Sequence, residues 1–150
     1  MAKLADRLMD MTGAVPSGQS RAQLLDSLEV ERSRGITIAL GFVPLDLPDG
    51  RRVAFVDVPG HERLVRPMIA GATGIDAALL CVSSQDGVMP QTREHLAILQ
   101  LLGVEQGVIA LTKADLVDEE LLELAAEEIA EEVEGTFLEG AAIVPVSAVS

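Results

Sequence analysis

The chain has 150 residues, 49% of them apolar, enough to bury the core of one ordinary domain. Its formal net charge is −13, with lysine only at positions 3 and 113, so the surface as a whole repels DNA, RNA and anionic membranes, and any anionic ligand must be gripped locally. Phe42, Phe55 and Phe137 are the only aromatic residues, too few for a base-stacking platform, Cys81 has no second cysteine to pair with, and no apolar run suits a bilayer span or signal peptide, so the expected setting is cytoplasmic.

In chain order, Gly13 to Gly35 is polar, carries Pro16-Ser17-Gly18 and ends in the charged stretch Glu29 to Arg34, which predicts a long connection of the kind that usually serves function. Thr37 to Leu47 and Arg51 to Asp57 then flank Pro48-Asp49-Gly50. Proline presets φ and glycine accepts a positive one, so these two segments are expected to form an antiparallel hairpin. From Val53 onward, short apolar runs alternate with helical patterns: Val53 to Val58, Ala77 to Val82, Gly107 to Leu111 and Ala141 to Val146. Runs that are apolar at nearly every position suit a parallel sheet covered by helices on both faces, and the fold class is α/β. Cys81, inside the second run, reads as a buried, inert thiol and not as a nucleophile.

Between the second and third runs, Leu96, Leu99 and Leu102 recur at helical spacing, with Pro90 as a start signal and Gly103 as a stop, predicting a helix over Gln91 to Leu102. His95 lies inside that pattern and reads as a structural or surface histidine. Between the third and fourth runs, Asp118 to Glu134 holds nine acids and no base, with Leu122, Ala126, Ile129 and Val133 along one face. This is an acidic amphipathic helix with a solvated outer side, not a metal site.

Three strand ends carry chemistry. Asp57-Val-Pro-Gly60 follows the first run, where doubly wound sheets place ligands, although a tight turn would want the same proline and glycine. Thr112-Lys-Ala-Asp115 follows the third. A carboxylate at Asp115 can accept both the ring N–H and the amino group of guanine, a pair adenine does not offer, although an aspartate before a helix also serves as a cap. Ser147-Ala148 follows the fourth run, where small residues let backbone N–H groups approach a base carbonyl.

The ordered set Arg34-Gly-Ile-Thr-Ile38, Asp57-Val-Pro-Gly-His-Glu62, Gly87-Val-Met-Pro-Gln-Thr-Arg-Glu-His95, Thr112-Lys-Ala-Asp115 and Ser147-Ala148 resembles the GTP-binding domain of translational GTPases. Residues 40–150 are similar to the selenocysteine-specific elongation factor branch, through Leu40-Gly-Phe42, Met68-Ile-Ala-Gly71, Gly74-Ile-Asp76, Glu94-His-Leu-Ala-Ile-Leu-Gln-Leu101 and the threonine at 112. Residues 4–38, through Thr12-Gly-Ala-Val15 and Gln23-Leu-Leu-Asp-Ser-Leu28, resemble the ribosomal back-translocase LepA, and Ala39 stands where the selenocysteine branch has aspartate. The resemblance implies a three-layer domain of the P-loop NTPase type, mostly parallel, with one antiparallel hairpin. It implies that Thr37 and Asp57 hold Mg²⁺, that the Gly60 N–H senses the terminal phosphate, and that His61 positions the attacking water beside Ile36. By the same resemblance Thr112, Lys113, Asp115, Ser147 and Ala148 hold the guanine nucleotide, GTP or GDP, while ribosome and selenocysteinyl-tRNA are partners of a longer parent.

The resemblance stops at one motif. No Gly-Lys pair occurs in the chain, so the phosphate-binding loop Gly-x-x-x-x-Gly-Lys-Ser/Thr is not among these residues. Leu4 to Leu8 resembles the helix that follows that loop, and the expectation is a partial domain without its first strand, loop and closing helix. Each lost charge-assisted bond to phosphate is worth about 1.5–3 kcal/mol, which predicts weakened nucleotide binding. Two uses of the chain follow: the GTP-hydrolysing domain of an elongation factor, or an interaction module or inactive fragment that turns over no nucleotide.

Overall fold

A computed structural model of the chain describes Leu8, residues 41–57 and residues 74–149. Leu8 is helical. The chain divides into two units, Met1–Gly71 and Ala72–Ser150.

In the first unit, β1 (Gly41–Asp46) and β2 (Arg52–Asp57) pair antiparallel, with Gly41 opposite Asp57 and Asp46 opposite Arg52. The turn between them is chemically specified. Gly50 N donates to Leu47 O at 2.9 Å across Pro48-Asp49, and Gly50 then takes φ +85°, a left-handed step that a side chain would strain. Leu47 N donates to Arg51 O at 2.7 Å and closes the loop. Asp49 accepts from both the backbone N and the Nε of Arg51, at 3.0 and 2.8 Å, and Arg52 Nε meets Asp46 at 2.6 Å. Among the side chains described here Leu45 is buried, at 5% exposure, while Arg52, Val53 and Ala54 are exposed.

The second unit is built from β3 (Ala78–Ser83), α1 (Pro90–Leu101), β4 (Gly107–Thr112), a 3₁₀ turn (Ala114–Leu116), α2 (Glu119–Glu132) and β5 (Ile143–Pro145). The strands form a parallel sheet in the order β3-β4-β5, with Leu80 beside Ile109 and Ala110 beside Val144. Pro90 sits at the first turn of α1, where its missing N–H is not needed. Asp118 caps α2, its carboxylate accepting from Leu121 N at 2.9 Å.

The core is one cluster. Leu80, Val82, Ile109 and Leu111 share a face of the sheet and pack with Leu96 of α1, Ala125 and Ile129 of α2, and Val133 and Leu138 beyond it. Ile109, Leu111, Ile129 and Leu138 are wholly buried, each stabilising the unit by about 1.5–3 kcal/mol relative to exposure. Both helices therefore lie on one face of this sheet among the described residues. On the opposite face Val108 and Val144 are 42% and 43% exposed. Arg93 of α1 bridges to Glu132 of α2 through two bonds, at 2.6 and 2.7 Å, tying the helices across the same side. Cys81 is half-buried in β3.

Gly107 marks where two strands begin together. A Cβ there would sit 2.4 Å from Ala78 O and 2.7 Å from Leu138 Cδ2, so only glycine fits without moving backbone.

Candidate functional site

A parallel sheet points all its carboxyl ends one way, so the loops after β3, β4 and β5 gather at one edge of the unit. The gathering is held by backbone. Val146 N donates to Leu111 O at 2.9 Å and Ala114 N to Val146 O at 3.2 Å, which brings the Thr112–Asp115 segment beside Ser147-Ala148. On the other side Ser84 N donates to Thr112 O at 2.9 Å.

Thr112 ends β4, and its hydroxyl donates to Val82 O at 3.1 Å, so it stitches strand to strand. Lys113 follows in the left-handed region, φ 60° and ψ 30°, the one described residue other than glycine with positive φ. A lysine there costs about 1–2 kcal/mol, and the surroundings hold it in place. Its carbonyl accepts from Ser84 Oγ at 2.9 Å and from Leu116 N at 3.0 Å, while its ammonium meets Asp86 at 2.9 Å. Asp86 is held below the ordinary aspartate range by the bond from Lys113, then by one from Ser83, and by the lysine charge.

Asp115 lies in the 3₁₀ turn and is exposed, with no side-chain partner among the described residues. It does not cap the following helix; Asp118 does, which removes the alternative use for that carboxylate. Ser147 Oγ accepts from Val149 N at 3.2 Å, fixing the turn in which half-buried Ala148 sits. Thus Thr112, Lys113, Asp115, Ser147 and Ala148 lie near one another at this edge of the unit.

Asp57 is the last residue of β2 and belongs to the hairpin unit. Thr37, Gly60, His61 and Ile36 lie outside the described residues, as do the Met68–Gly71 motif and, apart from Leu8, the segment 4–38 compared with LepA. His95 is half-buried in α1, and burial lowers its pKa against a smaller raising effect of Glu94. Ser84 and Asp86 are participants that motif reading passed over. The signal was present in Ser83-Ser-Gln-Asp-Gly87, a turn-forming run at the end of an apolar strand.

An α/β unit whose polar loops converge beyond adjacent parallel strand ends has the architecture of a nucleotide-binding domain. Residues 2–150 match the family model described as the Elongation factor Tu GTP binding domain, and the chain belongs to that family. The selenocysteine-specific elongation factor of Desulfomicrobium baculatum is 56% identical over 123 residues, covering 82% of this chain and 19% of that protein. That of Escherichia coli K12 is 58% identical over 94 residues, covering 63% of this chain and 15% of that protein. Among solved structures, translation elongation factor SelB of Methanococcus maripaludis, in complex with the GTP analogue GppNHp, superposes with a TM-score of 0.75 at 26% identity, covering 97% of this chain and 26% of that one. A bacterial selenocysteine-specific elongation factor, EF-Sec, gives 0.74 at 42% identity over 83% of this chain and 22% of that one. The chain therefore spans less than a third of the length of each of these relatives.

Proposed function

We propose that the chain supplies the GTP-binding and GTP-hydrolysing part of a translation elongation factor that delivers selenocysteinyl-tRNA to the ribosome. The observation that carries this reading is the exposed Asp115 carboxylate, without a side-chain partner among the described residues, on a loop tied by backbone bonds to the Ser147-Ala148 turn. Such a carboxylate accepts two hydrogen bonds from the guanine edge, and a pocket built this way rejects bases lacking them. The identity of 56% to a selenocysteine-specific factor supports the choice of cargo.

In this reading Thr112 and Lys113 shape the base pocket, and the N–H groups at Ser147 and Ala148 meet the guanine carbonyl. Thr37 and Asp57 are hard oxygen donors of the kind Mg²⁺ takes, and they would hold it; when bound, it neutralises phosphate charge. Gly60 would donate its N–H to the terminal phosphate, and His61 would orient the attacking water by hydrogen bonding, with Ile36 walling the water off.

A titration with a fluorescent GDP analogue and Mg²⁺, chased by unlabelled GTP or ATP, tests the proposal. Saturable binding displaced by GTP and not by ATP, and lost in Asp115→Asn, is expected. The absence of a Gly-Lys pair from the chain favours a second reading, an interaction module that binds no nucleotide. No saturable binding up to millimolar nucleotide would select it.

A further inference from the structure

We infer that Ser84 and Asp86, in the loop after β3, are positioning residues for the nucleotide pocket: they hold Lys113 in its left-handed turn and aim its ammonium, so that Asp115 is presented to the base. This rests on the reading of Thr112–Asp115 as the base-binding loop.

Three observations carry it. First, the grip is continuous from strand to side chain. Ser84 N donates to Thr112 O at 2.9 Å and Ser84 Oγ to Lys113 O at 2.9 Å, so two successive carbonyls on either side of the strained residue are held by one residue. Ser84 is buried, with 9% of its surface exposed, and its hydroxyl is spent on that one carbonyl. Second, the loop that carries Asp86 is itself braced. Gly87 N donates to Ser83 O at 2.9 Å, and Gln85 N to Ser83 Oγ at 3.3 Å, which closes residues 83–87 into a tight turn. Third, Asp86 reaches the one lysine in the unit, meeting Nζ at 2.9 Å, in a domain where acids outnumber lysines and arginines by 24 to 11. With so many acids available, the pairing is selected by loop geometry and not by composition.

The chemistry follows. Lys113 leaves β4 in a conformation that its own side chain disfavours, and the next residue but one is the carboxylate that reads the base. Bonds to its carbonyl and ammonium keep the turn from relaxing when the pocket is empty, so less ordering remains to be done on binding.

The chain's two lysines make the test direct, because Lys3 is an internal reference for Lys113. Amine acylation by acetic anhydride, read by peptide mass spectrometry, reports engagement of the Lys113 ammonium without any nucleotide. Asp86→Asn is expected to speed labelling of Lys113 relative to Lys3 and to weaken binding of the fluorescent GDP analogue roughly two- to fivefold, the range of one exposed ion pair, with the melting temperature unchanged. Asp86→Glu should restore part of both effects, and Ser84→Ala should weaken GDP binding further while leaving the fold intact by circular dichroism. If Asp86→Asn changes labelling but not GDP affinity, or changes neither, while Asp115→Asn still abolishes binding, the positioning role is overturned and the base-binding reading stands. If the unaltered chain shows no guanine-selective binding, both fall together, an outcome distinguishable from the previous one by that control alone.

Discussion

In the hairpin, the side-chain bonds join residues at most six positions apart: Arg52 meets Asp46 and Arg51 meets Asp49, all exposed. In the α/β unit, contacts join distant segments, and four side chains from β4, α2 and the turn after it are wholly withdrawn from water. One region is specified by local dihedral and charge chemistry, the other by apolar burial between segments that meet only when the chain folds. The two should therefore fail under different stresses.

Truncation in the core should have the largest effect. Ile129→Ala is expected to destabilise the α/β unit by about 2–5 kcal/mol, seen in urea unfolding as a lower midpoint and in hydrogen exchange as lost protection of the Gly107–Thr112 amides. Equal loss of protection at the Gly41–Asp46 amides would break the comparison.

The two glycines refine it, because they fail for opposite reasons. Gly107→Ala places a Cβ 2.4 Å from a backbone oxygen and should cost about 1–3 kcal/mol through displaced strands, measured by calorimetry. Gly50→Ala meets nothing within 4 Å, so its cost, about 1 kcal/mol, comes from the positive φ alone and should appear as local exchange in the hairpin.

The smallest effects are electrostatic, and pH separates them. Burial depresses the pKa of His95 below its ordinary 6.5, so the unfolded chain takes up the proton first. Stability of the α/β unit should be full above that value and decline as pH falls through it toward the folded value, and His95→Gln should flatten the slope. In the hairpin, Arg52 and Arg51 hold Asp46 and Asp49 below the ordinary aspartate value of 3.8. Their contribution is present above that value and is lost as pH falls through the lower folded values, so hairpin exchange rates should rise only in stronger acid. Added salt should shrink the hairpin effect first, because its pairs lie in water.

Much of this was legible beforehand from particular residues. Pro48-Asp-Gly50 announced the turn, Pro90 and Gly103 bracketed α1, and the stripe through Ile129 and Val133 named the buried side of α2. Leu138 was not legible. It stands alone in a glycine-bearing stretch with no period to mark it, yet it is wholly buried against Gly107 and the core. The helices' common face was also hidden, since an apolar run fixes that a strand is buried and says nothing about which face each connecting helix crosses.

At the site the division is the same. Motif order was enough to expect Thr112, Lys113, Asp115, Ser147 and Ala148 near one another, because turn-forming and polar residues after apolar runs mark strand ends, and strand ends of a parallel sheet share a side. The use of Asp118 as the helix cap, leaving Asp115 exposed, and the grip of Ser84 and Asp86 on a left-handed lysine came from elsewhere. Residues 27 and 29 positions apart meet there only because β3 and β4 are paired in register, and hydrogen bonds of that kind depend on distance and angle, which no linear pattern encodes.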